Sequence, residues 1–379
     1  MHLSGRRAWA VGRKEMLHVL RDPWSLALAI FIPMLLLVLF GWALKLDVDR
    51  VPLAVWDQSS TAASRELLSQ FTGSRYFAVY AYISNYGDLE RAIDSRHAMA
   101  GLVIPRDFAG RLASGGEAPV QLILDGSDSM TATLALGYAT AVVQSYSQRA
   151  SLNHFQRIGG REPAAPLDLR PRVWYNADLE SRNSIVPGLI VISMMIIAAM
   201  LTSLTIAREW ERGTMEQLVS TPIKGPELIA GKLLPYFAIG MFDMLMVVLM
   251  GYFLFGVPLR GSVGLLIAVS AVFLVGVLAL GMLISIVTRS QLLASQLALI
   301  VTFLPAFLLS GFIYPIDNMP APIRAVTYLI PARYFVELLR GIYLKGVGLR
   351  VLADDAGLLL AFTVLMLILA NRAFKKRLD

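Results

Sequence analysis

The chain has no cysteine in 379 residues and only four histidines. The first absence excludes disulfides, thiol chemistry and thiolate metal sites. His2, His18, His97 and His154 are scattered without ligand spacing, which argues against a zinc site. Charge is also scarce: 16% of residues are charged and 56% hydrophobic, far from the balance of a soluble domain. Neither a G-x-S-x-G elbow nor an H-E-x-x-H helix occurs, so catalysis lacks both nucleophile and metal. The nearest approach to a phosphate loop is Gly225-PELIA-Gly231-Lys232-Leu233. It has one residue too many between the glycines, and Leu233 replaces the Ser or Thr that would hold magnesium. A nucleotide engine is not expected here.

What is present is membrane-spanning sequence. Apolar runs cover about 24–44, 184–206, 233–256, 263–287, 292–314 and 356–371. The first five each exceed the ~20 residues needed to cross ~30 Å of hydrocarbon. The sixth is shorter, with Arg372 placed to snorkel at its end. The run at 24–44 is longer than a signal-peptide core and no small-x-small site follows it, so it reads as an anchor. The net charge of +7 is a topology signal rather than a nucleic-acid footprint. Arg6, Arg7, Arg13, Lys14 and Arg21 precede the first run, and Arg372, Lys375, Lys376 and Arg377 follow the last. With an even number of spans, the positive-inside rule puts both termini in the cytoplasm. Residues 207–228 and 288–291 are then inside, and 45–183 and 315–355 outside.

The expected fold is an α-helical polytopic membrane protein of six spans with an inserted α/β extracytoplasmic domain. Residues 1–23 form an interfacial helix with Trp9, Met16 and Leu20 on its apolar side, or alternatively a solvated lead-in. Span 1 occupies 24–44 and the outer domain 45–183. The remaining spans occupy 184–371, and 372–379 is a cytoplasmic tail. Within 45–183, strands at 51–56, 77–83, 100–104 and 120–124 alternate with helices at 61–71, 88–95, 107–113 and 129–155. Residues 159–171 are a proline-rich linker. Asp125-Gly-Ser-Asp128 reads as a capped turn rather than a calcium loop. Tyr76, Phe77, Tyr80, Tyr82 and Tyr86 read as strand packing. Pro315, Pro320, Pro322 and Pro331 punctuate two helical stretches in 315–355, lying in the outer interface or tucked among the spans.

Residues 208–222, REWERGTMEQLVSTP, form a charged segment between two apolar runs. Gly213 breaks the incoming helix, Thr214 is placed to cap a new one, and Gln217 completes the capping-box spacing. Pro222 limits that helix to about two turns and disfavours helix at Thr221. Met215, Leu218 and Val219 share one face, ringed by Glu209, Glu211, Arg212 and Glu216. Such an apolar knob at a membrane surface is suited to plug into a soluble partner.

Two features mark the spans. Asp243 lies near the middle of span 3, where a carboxylate costs about 2.5–3.5 kcal/mol on insertion scales. Two readings stay open: it lines a wet path, or it bonds a neighbour such as Ser285 or Gln296. Pro33 and Pro305 sit inside spans 1 and 5, where each frees a carbonyl and permits a kink. Pro305 with Phe307 and Phe312 reads as a bend opening outward, although packing alone explains it equally well.

Four stretches in order cover nearly the whole chain. They are the basic N-terminal helix with Arg21-Asp-Pro23, the Arg208–Pro222 segment, Leu309-Ser-Gly-Phe-Ile-Tyr-Pro315, and the proline-marked helices to Pro331. Together they resemble the permease subunit of an ABC-2-type exporter, in the branch with a large extracytoplasmic domain between spans 1 and 2. The resemblance implies a coupling helix within 208–222 that sits in a groove of a separate ABC ATPase subunit. The coupling residues are then Glu209, Arg212, Gly213, Thr214, Met215, Glu216, Gln217, Leu218, Val219 and Pro222. ATP and magnesium would reside on that partner, and no cofactor on this chain. It further implies a second permease copy or paralogue and, in similar proteins, a periplasmic adaptor and outer-membrane channel. The cargo would be drugs or other amphipathic molecules crossing a bacterial inner membrane, with Asp243, Pro305, Phe307 and Phe312 as the candidate path.

Two rivals compete. An ion-coupled secondary transporter using Asp243 would show several paired ionisable residues and repeat symmetry. A membrane sensor with 45–183 as ligand domain would carry a cytoplasmic signalling domain, yet every cytoplasmic piece is short.

Overall fold

The computed structural model describes residues 4–43, 50–127, 129–157, 175 and 180–374. The chain divides into two compact units, residues 1–45 with 172–379, and the intervening 46–171. The proline-rich stretch 159–171 and Asp128 lie outside the described residues.

The first unit starts with α1 (Gly5–Leu20) and α2 (Pro23–Ala43). Pro23 cannot extend α1, but its fixed φ suits the first position of α2. Val11, Gly12, Glu15 and Val19 are the buried face of α1, while Trp9, Leu17 and Leu20 are exposed. The apolar side expected from Trp9, Met16 and Leu20 is therefore not the side packed on protein. A glycine and an ion-paired glutamate set the contact instead, as shown below.

The second unit runs β1 (Val51–Asp57), α3 (Ala62–Thr72), β2 (Phe77–Tyr82), α4 (Tyr86–Asp94) and β3 (Ala100–Ile104). It continues with α5 (Phe108–Ala113), β4 (Gln121–Leu124) and α6 (Ser129–Arg157). The sheet order is β2-β1-β3-β4, with β1 parallel to both β2 and β3 and only β4 antiparallel. Alternation in β1 explains the layering. Val51, Leu53 and Val55 face a cluster with Leu67, Phe71, Phe77 and Ile104, whereas Ala54 faces Leu89 and Val103. Local chemistry starts the helices: Thr61 and Ser64 form a capping box before α3, and Asn85 accepts the Asp88 N–H at 2.8 Å before α4. The Ser127 N–H donates to Asp125 at 2.9 Å, the turn that leads into α6. Of the tyrosine-rich group, Phe77 is core and Tyr76 stacks on Tyr138 at 3.8 Å. Tyr80, Tyr82 and Tyr86 are exposed, with Tyr86 edge-on to Trp56 of β1 at 4.8 Å and Tyr80 stacked on His97 at 5.6 Å.

The first unit resumes with α7 (Arg182–Glu211), α8 (Met215–Ser220), α9 (Gly225–Phe253), α10 (Val263–Thr288) and α11 (Gln291–Leu309). It ends with α12 (Ala321–Thr327), α13 (Pro331–Arg340) and α14 (Ala353–Ala373). Helices α7, α9, α10, α11 and α14 are long and apolar enough to cross a membrane, and α2 contains the apolar helical stretch Ile30–Trp42. The last apolar run belongs to a 21-residue helix that begins three residues before it, long enough to cross a membrane. Asp354 and Asp355 occupy its first turn, where carboxylates suit the helix dipole.

Helix α7 is the central one, buried on all sides from Ile185 to Ala199. It meets α10 where a Cβ on Gly281 would lie 2.6 Å from the Ala199 carbonyl oxygen, so only glycine fits. The Ser285 hydroxyl on α10 accepts the N–H groups of Ile206 and Ala207 at 3.0 and 2.9 Å. Helix α13 tucks against the spans: Phe335, Leu338, Leu339 and the following Ile342 are fully buried, with Phe335 stacked on Phe273 at 4.1 Å. Arg340 ties it down by donating to the Gly311 and Phe312 carbonyls at 3.0 and 3.3 Å.

Candidate functional site

The charged segment leaves α7 at Arg212 and turns at Gly213, whose φ of +68° belongs to the left-handed region. Nothing lies within 4 Å of a Cβ built there, so conformation rather than space demands glycine. Helix α8 then runs six residues before Thr221 turns extended ahead of Pro222. The Thr214 cap is a correction. Thr214 precedes the helix, but its hydroxyl donates to the Glu209 carboxylate instead of accepting an α8 N–H. A charged acceptor is the stronger partner.

The expected apolar face also divides. Met215 is only 1% exposed within the chain itself, so it holds α8 to the protein. Leu218 is half-buried, Glu216 and Gln217 are exposed, and the Val219 side chain lies outside the described residues. Arg212 and Pro222 are exposed, and the Pro222 carbonyl accepts from Arg7 on α1 at 2.8 Å.

Beneath α8 lies a buried ion knot absent from the sequence reading. Lys232 on α9 is 1% exposed, with its Nζ 3.1 Å from Glu15 of α1 and 3.3 Å from Glu209 of α7. Tyr236 donates to Glu15 at 3.4 Å, and Lys14 reaches Glu209 at 3.5 Å. Backbones can approach here because α1 and α9 cross at Gly12 and Gly231: a Cβ on Gly231 would lie 2.6 Å from the Ala8 carbonyl. Burial alone would raise the Glu209 carboxyl, but Lys232, the Thr214 hydroxyl and Lys14 outweigh it and hold it below its ordinary value.

Further ties fix the segment's ends. Glu227 accepts the Ser4 and Lys224 N–H groups at 2.8 and 3.0 Å, which with Arg7 keep its carboxyl low. Glu211 accepts the Gln291 N–H at 2.7 Å at the start of α11. Arg208 meets His18 at 3.0 Å and Gln291 at 3.4 Å, and Arg289 lies over Trp210 at 4.6 Å. The residues flanking α8 are thereby tied to α1, α9 and the α10–α11 turn. Glu15, Lys232, Glu227 and Gln291 belong to no sequence motif that points to this knot. The available signal was Glu15, a lone acid in a basic helix, and Lys232, a lone cation at the mouth of an apolar run.

A pH dependence follows. The carboxyls of Glu209 and Glu227 are depressed in the folded chain, so their stabilisation is fully present above the ordinary carboxylate range. It is lost as pH falls below the ordinary carboxylate range and through the depressed folded values. Thermal stability in detergent should stay level from pH 7 to 5 and drop below that, and Glu227→Gln should flatten the drop. A drop of equal size in Glu227→Gln would remove this carboxylate from the account.

Of the path candidates only Phe307 and Phe312 are shown in contact. Asp243 is fully buried, and both its oxygens have no hydrogen-bond partner among the described residues. Ser285 is engaged with α7 and Gln296 is exposed, so neither is its partner. Phe307 sits in an aromatic chain with Phe40, Phe303 and Phe312 at centroid distances of 6.2, 5.5 and 6.2 Å. Pro305 instead lines a separate groove with α14. Among the described residues no three His, Cys, Asp or Glu converge as a metal site.

A family profile described as "ABC-2 family transporter protein" matches residues 23–371. The chain is 41% identical over 379 residues to the "Probable multidrug ABC transporter permease YbhS" of Escherichia coli, covering 100% of this chain and 99% of that relative. It is 29% identical over 371 residues to the "Probable multidrug ABC transporter permease YbhR" of the same organism, covering 98% and 99%. The "Linearmycin resistance permease protein LnrN" of Bacillus subtilis is 24% identical, over 95% of this chain and 97% of the relative.

Proposed function

Because the chain belongs to the ABC-2 transporter family, we propose that α8 is the element through which its ATPase partner moves the spans. The chain is a multi-pass permease subunit of an ABC exporter, and ATP hydrolysis belongs to a separate subunit. The observation that carries the proposal is the Lys232 knot, which joins the base of α8 to α1, α7 and α9 through buried charges. Displacing α8 drags Glu209, and with it Lys232 and Glu15, so a push at the surface becomes a change in span packing.

The wider reading has six spans, both termini in the cytoplasm of a bacterial cell and residues 46–171 outside, as the flanking basic residues support. A second permease copy or paralogue completes the pathway, and a periplasmic adaptor and outer-membrane channel extend it. The cargo is amphipathic and drug-like, in keeping with the names of the relatives. In inside-out vesicles, ATP-driven uptake of an amphipathic dye should require both this chain and its ATPase. The permease alone should hydrolyse no ATP; hydrolysis or uptake by it alone would overturn the assignment.

Asp243 enters as a residue of the route, because a partnerless buried carboxyl has no packing role to explain it. Asp243→Asn keeps size and hydrogen-bonding groups and removes the ionisable group. Insertion should be unchanged while dye uptake falls several-fold; parental uptake would assign Asp243 to packing alone.

A further inference from the structure

Between α11 and α14 the protein leaves an open groove of about 520 Å³. It reaches from Leu329, which is 77% exposed, down to Met195 and Leu280 in the interior of α7 and α10. Met195 is 13 residues into α7, about 20 Å along it at 1.5 Å per residue, roughly one leaflet deep. Pro305 and Ala361 contribute little side-chain bulk to the lining, which leaves the space between the helices unfilled. Of the lining residues only Tyr328 and Tyr334 carry a hydroxyl, and the latter is spent on the Tyr328 carbonyl at 2.6 Å.

Charge is confined to the mouth. The Arg333 guanidinium lies 3.9 Å from the centre of the Tyr328 ring and donates to the Thr327 hydroxyl, both neutral partners. Asp355, in the first turn of α14, lies within electrostatic reach of Arg333 and Glu337. A hydrocarbon slot one leaflet deep, with a cation and an acid at its rim, matches an amphiphile whose head carries both signs. We propose that this groove holds an acyl chain of one phospholipid from the surrounding outer leaflet, its zwitterionic head over Arg333 and Asp355. The leaflet named rests on the reading that α12 and α13 lie outside; the uptake assay tests that reading separately.

The test uses the full-length chain in nanodiscs containing a phosphatidylethanolamine with a diazirine in mid-chain. Photolabelling mapped by mass spectrometry should concentrate on α11 and α14 residues that line the groove. It should exceed labelling at Val263 and Ile267, which are exposed on α10. Ala361→Trp fills the slot and should lose the groove labelling, while Leu360→Trp, one residue away on the exposed surface, should keep it. Should Ala361→Trp fail to fold, Leu358→Trp fills the same wall and carries the same expectation. Undiminished labelling in a folded, filled variant would overturn the proposal. So would disulfide-linked dimers from a single cysteine at 361, because the occupant would then be a second copy.

Discussion

Leu218→Asp is expected to separate the permease from its ATPase while leaving it folded and inserted. Leu218 is half-buried on a surface helix outside the spans, so a charge there burdens neither insertion nor the core. In a partner's groove the carboxylate would lose water without gaining a cation, a cost of at least a few kcal/mol. Three kcal/mol is roughly a hundred-fold in affinity. Co-purified ATPase should therefore fall by about two orders of magnitude, and the hydrolysis that remains should no longer respond to substrate. Met215→Asp is the contrasting variant: at 1% exposure it should fail to accumulate as folded protein. If Leu218→Asp retains its ATPase and transports like the parent, α8 is an ordinary loop and the proposal fails.

The second large effect is expected at Lys232. Lys232→Ala strands Glu15 beneath the surface without a counter-charge and leaves Glu209 only the exposed Lys14 at 3.5 Å. Removing one partner of a buried ion pair costs about 3–5 kcal/mol, because the charge left behind is desolvated and uncompensated. The single variant should be strongly destabilised in detergent. Replacing the whole knot (Glu15→Gln, Lys232→Met and Glu209→Gln together) should restore most of the stability, since apolar and neutral groups of similar size often substitute without penalty. The triple variant decides the matter. If it folds and binds ATPase but uptake is lost, the knot transmits motion; if it transports normally, the knot only holds the fold.

These residues also show what the sequence made legible. Periodicity located the elements of the inserted unit to within a few residues, because strands of period two and capped helices write their own boundaries: Thr61 with Ser64, Asn85 with Asp88. Apolar length located five helices long enough to cross a membrane and the apolar stretch of α2. Gly213 was legible because a left-handed turn has few residues to choose from. The Lys232 knot was not, since Glu15 and Lys232 are separated by 217 positions and neither belongs to a motif. The Thr214 error has the same root. Spacing offered it an N-cap role, but a carboxylate from the preceding helix, positioned only by the fold, won the hydroxyl. The side of α1 that packs on protein was not legible, because that contact rests on Gly12 and Glu15, neither of which registers as hydrophobic.

The 217 positions between Glu15 and Lys232 also set a schedule for biogenesis. At roughly 5–20 residues per second, α1 emerges about 10–40 s before the lysine that will hold it. Through that interval α1 lacks α9, its main docking surface, and Glu15 lacks its counter-charge. Trp9, Leu17 and Leu20, which face away from the protein in the finished fold, give the nascent helix a lipid surface to rest on until then. The packing of α1 on the rest of the permease can be completed only after the third apolar run, which carries Lys232, has been made.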